Sequence, residues 1–154
     1  MAKIFEPCSD TIELAESLFE DTCLNQVGIN IKVLATTKAK NVVKVSKANP
    51  TMQYLTSNDI IMVVYEEAFD RLNDEYKKEL MEGALSNVSY DSEKDKLNVE
   101  GDIAKEIFAM RQKYSDYVDV MEASYLIIQQ IEEDEKEKKE AKKAEKAAKK
   151  KGNA

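Results

Sequence analysis

The sequence predicts an α+β fold, because strand-like and helix-like segments follow one another without regular alternation. Short alternating or fully apolar runs predict strands, and longer stretches with apolar residues three and four apart predict helices. The charge distribution adds a boundary, since residues 1–131 carry a net charge of −9 and residues 132–154 a net charge of +2. The 154 residues therefore divide into one domain, 1–131, and a Lys/Glu/Ala-rich tail, 132–154, that is helical or disordered.

The first third of the chain predicts one helix and two strands. Asp10 is expected to cap the helix, whose apolar residues keep helical spacing until Gly28 ends it. Residues 29–36 alternate apolar and polar side chains, which indicates a half-buried strand, and residues 43–45 continue as a second strand.

The middle of the chain predicts a central strand between a loop and two helices. Asn49 and Pro50 are expected to end the second strand and to open a loop that reaches Asp59. Residues 60–65 are apolar on both faces, as is typical of a strand covered on both sides. A short helix follows, and a longer one begins at Asn73 with one apolar stripe, formed by Tyr76, Leu80, Ala84 and Val88.

The remainder predicts a hairpin and two helices. A charged turn precedes a short strand over residues 97–99, and Asp102 is expected to cap a helix that buries Ile103, Ile107, Met110 and Tyr114. The last helix begins near Asp116 and continues into the tail. Its apolar residues alternate steps of four and three from Tyr114 to Ile128, which favours packing on the protein's own core, with dimerisation through Tyr114–Ile128 as the alternative.

Composition excludes several classes of enzyme. With no His, the chain lacks Ser-His and Cys-His nucleophile activation and nearly every type of catalytic zinc site. Cys8 and Cys23 are too far apart on a helix for a disulfide, which fits a cytoplasmic protein. The N-terminus has no signal-peptide pattern and the longest apolar run is six residues, so no membrane partner is expected.

Two charged segments invite functional readings. The acids from Asp91 to Asp102 have the spacing of a calcium loop, but Lys96 stands where such a loop needs Gly, which favours a solvated turn. The tail ends in a basic stretch without aromatic or Arg residues. A solvated helix is the favoured interpretation of the tail, and contact with nucleic acid or an acidic partner is the alternative, through Lys142, Lys143, Lys146, Lys149, Lys150 and Lys151.

The segment from Asp59 to Tyr114 resembles a family of phage metallopeptidases with a zincin-like fold. The resemblance rests on the order of its motifs: Asp59-Ile-Ile-Met-Val-Val, Glu66-Glu-Ala-Phe-Asp-Arg-Leu, Val88-Ser-Tyr-Asp, Gly101-Asp-Ile and Arg111-Gln-Lys-Tyr. It implies a strand, a helix that carries H-E-x-x-H, a short hairpin, and a His-Asp pair at the start of the next helix.

The residues of the family's zinc site are absent from this sequence. The five motif positions fall on residues 83–87, which read Gly-Ala-Leu-Ser-Asn, and the downstream His position falls on Gly101 beside a retained Asp102. The resemblance therefore implies the family fold without its activity, with Gly83, Ala84, Asn87, Gly101 and Asp102 as vestigial site positions. No catalytic residue, metal or cofactor is expected.

The resemblance thus implies a catalytically inactive, metallopeptidase-like phage protein, which we expect to bind a host or phage protein in the host cytoplasm. A protein or nucleoprotein partner is preferred to a small molecule. One alternative is a hydrolase with a carboxylate-ligated divalent metal, held through Glu82, Asn87, Asp91 and Asp102. The other is a structural phage component.

Overall fold

The computed structural model describes residues 2–152, with side chains up to residue 150, and within this range the fold is α+β as predicted. The strands form a four-stranded sheet and a separate two-stranded hairpin, and the helices pack around them. The elements in chain order are β1 (Ile4–Phe5), α1 (Ser9–Glu20), α2 (Cys23–Gln26), β2 (Ile31–Thr36), β3 (Val43–Lys47), α3 (Pro50–Thr56), β4 (Ile60–Tyr65), α4 (Glu66–Asp70), α5 (Asp74–Leu85), β5 (Val88–Asp91), β6 (Lys96–Val99), α6 (Ile103–Arg111) and α7 (Tyr117–Gly152).

The main sheet has the strand order β1-β2-β4-β3. Strand β4 is central, as predicted, and pairs with β2 in parallel and with β3 in antiparallel orientation. Met62 of β4 lies between Val33 of β2 and Val45 of β3 in this register, and its side chain is fully buried. Because the hairpin β5–β6 forms its own sheet, β3 is an edge strand of the main sheet.

Most of the buried apolar side chains form one core between the sheet and helices α1, α4, α5 and α7. A second, smaller cluster lies where α6 meets α7, and it contains Met110, Tyr117 and Met121. The apolar residues spaced four and three apart from Tyr114 to Ile128 contribute to both clusters. Met121 is buried in the smaller cluster and Ile128 in the main core. Tyr125 is 38% exposed. Dimerisation through Tyr114–Ile128 stays a prediction.

Several local predictions are wrong. The first helix follows Cys8 without a side-chain cap from Asp10, and it ends at Glu20 before the separate helix α2. Val88 lies in β5 and not on the stripe of α5.

The segment after Asn49 is not a loop but helix α3, because the Asn49 side chain accepts a hydrogen bond from the Met52 N–H (2.8 Å) and Pro50 occupies the first turn. Asn followed by Pro is also the start signal of a helix, and that reading is the correct one here. On α6, Ile103 is 55% exposed instead of buried, although Asp102 caps the helix as predicted.

Helix α7 carries the chain from the core into the tail without interruption. Ile131 is the last fully buried residue of the helix, and every residue from 135 to 150 is exposed. None of the helices within residues 2–152 combines the length and the apolar character needed to cross a membrane.

We expect Asn73→Ala to lower the free energy of unfolding by about 1 kcal/mol, because the Asn73 side chain accepts the Tyr76 N–H at 2.8 Å and caps α5. Urea unfolding measures the change. Asn73→Asp keeps a capping oxygen and serves as the matched control. Equal losses in the two variants would show that the cap does not stabilise α5.

Candidate functional site

A cleft of about 460 Å³ lies beside the edge strand β3 and is called the β3 cleft hereafter. One side of the cleft is the edge strand β3 with the residue stretch before it, and the other is the segment from the end of β6 into α6. Helices α5 and α7 complete it. The residues that line the cleft include Val43, Lys44, Val45, Lys47, Ala84, Asn87, Glu100, Gly101, Ile103, Glu106, Tyr117, Met121 and Tyr125.

Strand β3 turns unpaired backbone groups to its open edge. In an antiparallel pair, successive residues direct their N–H and C=O groups alternately toward and away from the partner strand. The Val42 carbonyl accepts from the Tyr65 N–H of β4 at 2.8 Å, so Val43, Val45 and Lys47 direct theirs away from β4. No backbone hydrogen bond that the described residues make outside the sheet ladders involves these three residues. The cleft is therefore bordered by an unpaired strand edge, and the hairpin strand β6 packs close to part of it.

A carboxylate inside the cleft is held by two neutral donors. The Asn87 side-chain amide donates to Glu106 Oε1 at 2.6 Å, and the Tyr117 hydroxyl donates to Glu106 Oε2 at 2.7 Å. Tyr117 is 1% exposed, and burial, followed by the charge of Glu106, raises the pKa of its phenol well above the usual range. The phenol therefore stays protonated and keeps donating. We call Asn87, Glu106 and Tyr117 the carboxylate triad.

The triad depends on a glycine in the interior of α5. A Cβ atom added to Gly83 would overlap the Tyr117 phenol and would lie 2.7 Å from its Cζ. The absence of a side chain at Gly83 thus lets the first residue of α7 approach the backbone of α5. The packing of Tyr117 explains why a glycine that weakens the helix is found at this position.

The structure brings some of the predicted vestigial positions together. Ala84, Asn87 and Gly101 line the β3 cleft. Gly83 does not line it, and instead contacts Tyr117, which does. The Asp102 side chain is used at the start of α6, where it accepts the N–H groups of Ala104 and Lys105.

The acids and the amide suggested for a divalent metal are each engaged elsewhere. Glu82 accepts from Lys113 Nζ (2.9 Å) and from the Tyr114 hydroxyl (3.0 Å), and Asp91 accepts backbone N–H groups within the hairpin turn. Asn87 belongs to the carboxylate triad and Asp102 caps α6. Among the described residues, no group of three or more His, Cys, Asp or Glu side chains is placed to hold a metal ion.

A second carboxyl group is buried behind the cleft. Glu79 lies one turn before Gly83 on α5 and is 3% exposed, and its Oε1 has no hydrogen-bond partner among the described residues. Burial, and then a hydrogen bond with the carboxyl of Asp116, raises its pKa to about 7. The junction of α5 with the start of α7 therefore holds a carboxyl group whose pKa is raised toward neutral pH.

The tail residues suggested for nucleic acid or partner contact are accessible. Lys142, Lys143, Lys146, Lys149 and Lys150 are all exposed on α7, and the side chain of Lys151 lies outside the described part of the chain. Their contact with nucleic acid stays a prediction.

The most informative site residues are only weakly indicated by sequence patterns. In the sequence, Glu106 resembles an ordinary acid on a helix surface. Tyr117 is not one of the apolar residues that alternate steps of four and three on its helix. The single usable signal was Gly83, because a glycine in a helix interior marks a place where another group approaches closely.

Comparisons with protein-family models, curated proteins and solved structures give no match to this chain. The resemblance to phage metallopeptidases therefore stands on the residues quoted above.

Gly83→Ala should lower the free energy of unfolding by about 1–3 kcal/mol, because the new methyl group overlaps the buried Tyr117 phenol. The expected sign is opposite to the general effect of Gly→Ala in a helix, which is a gain of up to about 1 kcal/mol. Urea unfolding decides between them. Gly101→Ala is the control and should be nearly neutral, since a Cβ there meets nothing within 4 Å. A stabilised Gly83→Ala variant would disprove the close approach.

Glu79 should make the protein less stable as the pH rises. Its folded-state pKa of about 7 lies above the ordinary 4.5. The stability that the protonated Glu79 contributes is therefore fully present below pH 4.5 and is lost as the pH rises through 7. The full loss is of order 3 kcal/mol at 1.36 kcal/mol per pKa unit. Glu79→Gln should remove most of this loss between pH 5 and pH 8 in urea unfolding. The amide does not titrate, and it can still donate a hydrogen bond to Asp116. Glu122→Gln, an exposed acid on α7, should leave the wild-type pH dependence in place.

Proposed function

We propose that this protein is a catalytically inactive binding protein that takes an extended segment of a protein partner into the β3 cleft. The observation that carries the proposal is the open edge of β3, where Val43, Val45 and Lys47 present unpaired backbone groups along the cleft. An extended peptide can add to such an edge as a further strand, because main-chain hydrogen bonds supply affinity and adjacent pockets supply specificity.

The shape of the cleft supports a peptide over a small molecule. A strand-like ligand needs a groove open along its length, with backbone partners on one side and side-chain pockets on the other. The β3 cleft has the edge strand on one side and a mixed polar and apolar surface on the other, which includes Ile103, Met121 and Tyr125.

The state of the carboxylate triad supports binding without hydrolysis. Both oxygens of Glu106 accept hydrogen bonds from fixed neutral donors, and no His exists in the chain to activate a water molecule. The phage origin, the zincin-like fold and the inactive-enzyme interpretation rest on the sequence resemblance, as does action in the host cytoplasm. A role as a structural phage component is the alternative that the same resemblance leaves open.

The proposal is tested by selecting peptides from a displayed random library with the full chain. Selected peptides should shift the backbone amide resonances of Val43, Val45 and Lys47 in ¹⁵N NMR spectra, and Val43→Pro should abolish their binding. Proline at this edge position removes an N–H that the sheet ladder does not use, so the fold should be retained. Retention is checked by thermal unfolding.

Val43→Thr is the matched control, because it keeps the backbone N–H while changing the same side chain. It should bind the selected peptides as the wild type does, within about threefold. Selected peptides that bind Val43→Pro and the wild type equally well would refute strand addition at β3.

A further inference from the structure

Among the side chains that the structure describes, none forms an ion pair with Glu106. The ion pairs among the described side chains join Lys32 to Glu6, Arg71 to Glu67, Lys105 to Glu100, and Lys113 to Glu82. Glu106 belongs to none of them, although it is the half-buried acid of the cleft, with only the neutral Asn87 and Tyr117 as donors. A carboxylate removed from water gains more from a cation than an exposed one does, because salt and solvent screen it less.

The surroundings of Glu106 fit a planar cation. Each carboxylate oxygen accepts one hydrogen bond in the triad, and a carboxylate can accept about four in all, which leaves room for a two-pronged donor. The Tyr125 ring also lines the cleft, and aromatic faces favour a guanidinium group. Lys44 and Lys47 border the cleft as well, but both are exposed to solvent on β3.

We infer that the β3 cleft selects an extended peptide segment that carries an arginine side chain, which binds Glu106 across the cleft from β3. This inference rests on the proposed strand addition and specifies its partner. The edge strand holds the peptide backbone and sets its register, whereas Glu106 recognises one side chain. The Asn87 and Tyr117 donors keep the carboxylate in a fixed orientation before the partner arrives, which lowers the entropic cost of binding.

The test uses three capped heptapeptides of sequence Thr-Val-Thr-X-Thr-Val-Thr, in which X is arginine, citrulline or glutamate. Citrulline has nearly the shape of arginine without its charge, so the comparison isolates the ion pair. Titrations followed by ¹⁵N NMR should show amide shifts at Val43, Val45 and Lys47, with the arginine peptide bound about tenfold more tightly than the citrulline peptide. The glutamate peptide should bind most weakly.

Two variants test whether Glu106 causes the preference for arginine over citrulline. Glu106→Gln should reduce the arginine-to-citrulline ratio to about one, whereas Glu100→Gln, which removes an exposed acid of the same cleft, should leave the ratio nearly unchanged. Added salt should also lower the ratio in the wild type, and this measurement does not depend on whether Glu106→Gln folds.

The outcomes separate the two proposals. Equal binding of the arginine and citrulline peptides, with shifts along β3, overturns the selection of arginine and leaves strand addition in place. A preference that survives Glu106→Gln overturns the role of Glu106. Absence of any shift at Val43, Val45 and Lys47 with all three peptides overturns strand addition and the selection of arginine together.

Discussion

The close approach of Tyr117 to Gly83 is the contact on which the rest of the site depends. Tyr117 is the first residue of α7, and its phenol is almost wholly buried against the backbone of α5. This contact fixes where α7 starts, and therefore where Met121 and Tyr125, farther along the same helix, border the cleft. It also directs the Tyr117 hydroxyl to Glu106. The packing of Tyr117 against Gly83 therefore determines both the α7 side of the cleft and the hydrogen bonding inside it.

Two carboxyl groups on either side of this contact have opposite surroundings. Glu106 receives a hydrogen bond on each oxygen, from the Asn87 amide and the Tyr117 hydroxyl. Glu79 faces another carboxyl group in a buried position and leaves one oxygen without a partner, so burial and Asp116 raise its pKa. The difference arises from neighbours alone, since both acids are glutamates on helices that pack together. The junction behind the cleft therefore holds a carboxyl group whose pKa is raised, whereas the carboxylate in the cleft has a hydrogen bond on each oxygen.

Sequence patterns predicted those elements whose burial is decided locally. Strand β4 follows from six consecutive apolar residues, and the start of α5 near Asn73 and the cap at Asp102 follow from short polar side chains before helical spacing. The failures have a physical cause of the same kind. Asn49-Pro50 is compatible with a strand end and with a helix start, and only the 2.8 Å bond to Met52 distinguishes them. Ile103 is apolar but exposed, because no neighbouring element covers that face of the first turn of α6.

The site was less predictable, because its members meet only through tertiary packing. Asn87 lies 19 residues before Glu106, and Tyr117 lies 11 residues after it on another helix. No periodicity relates these three positions, and each is an ordinary residue in its own segment. Gly83 was informative because an unfavourable residue in a helix requires a compensating gain, and that gain is visible only when α7 is in place.

The arrangement around Glu106 suits a cleft that holds a peptide chain. Packing keeps the two donors of Glu106 in place, so its carboxylate has a fixed orientation. The same features make a good anchor, because a fixed carboxylate without a cation attracts a positive side chain without first having to reorganise. Beside it, β3 supplies backbone groups that recognise any extended sequence. A general contact to the backbone and a selective contact to one side chain together are what recognition of a peptide segment requires.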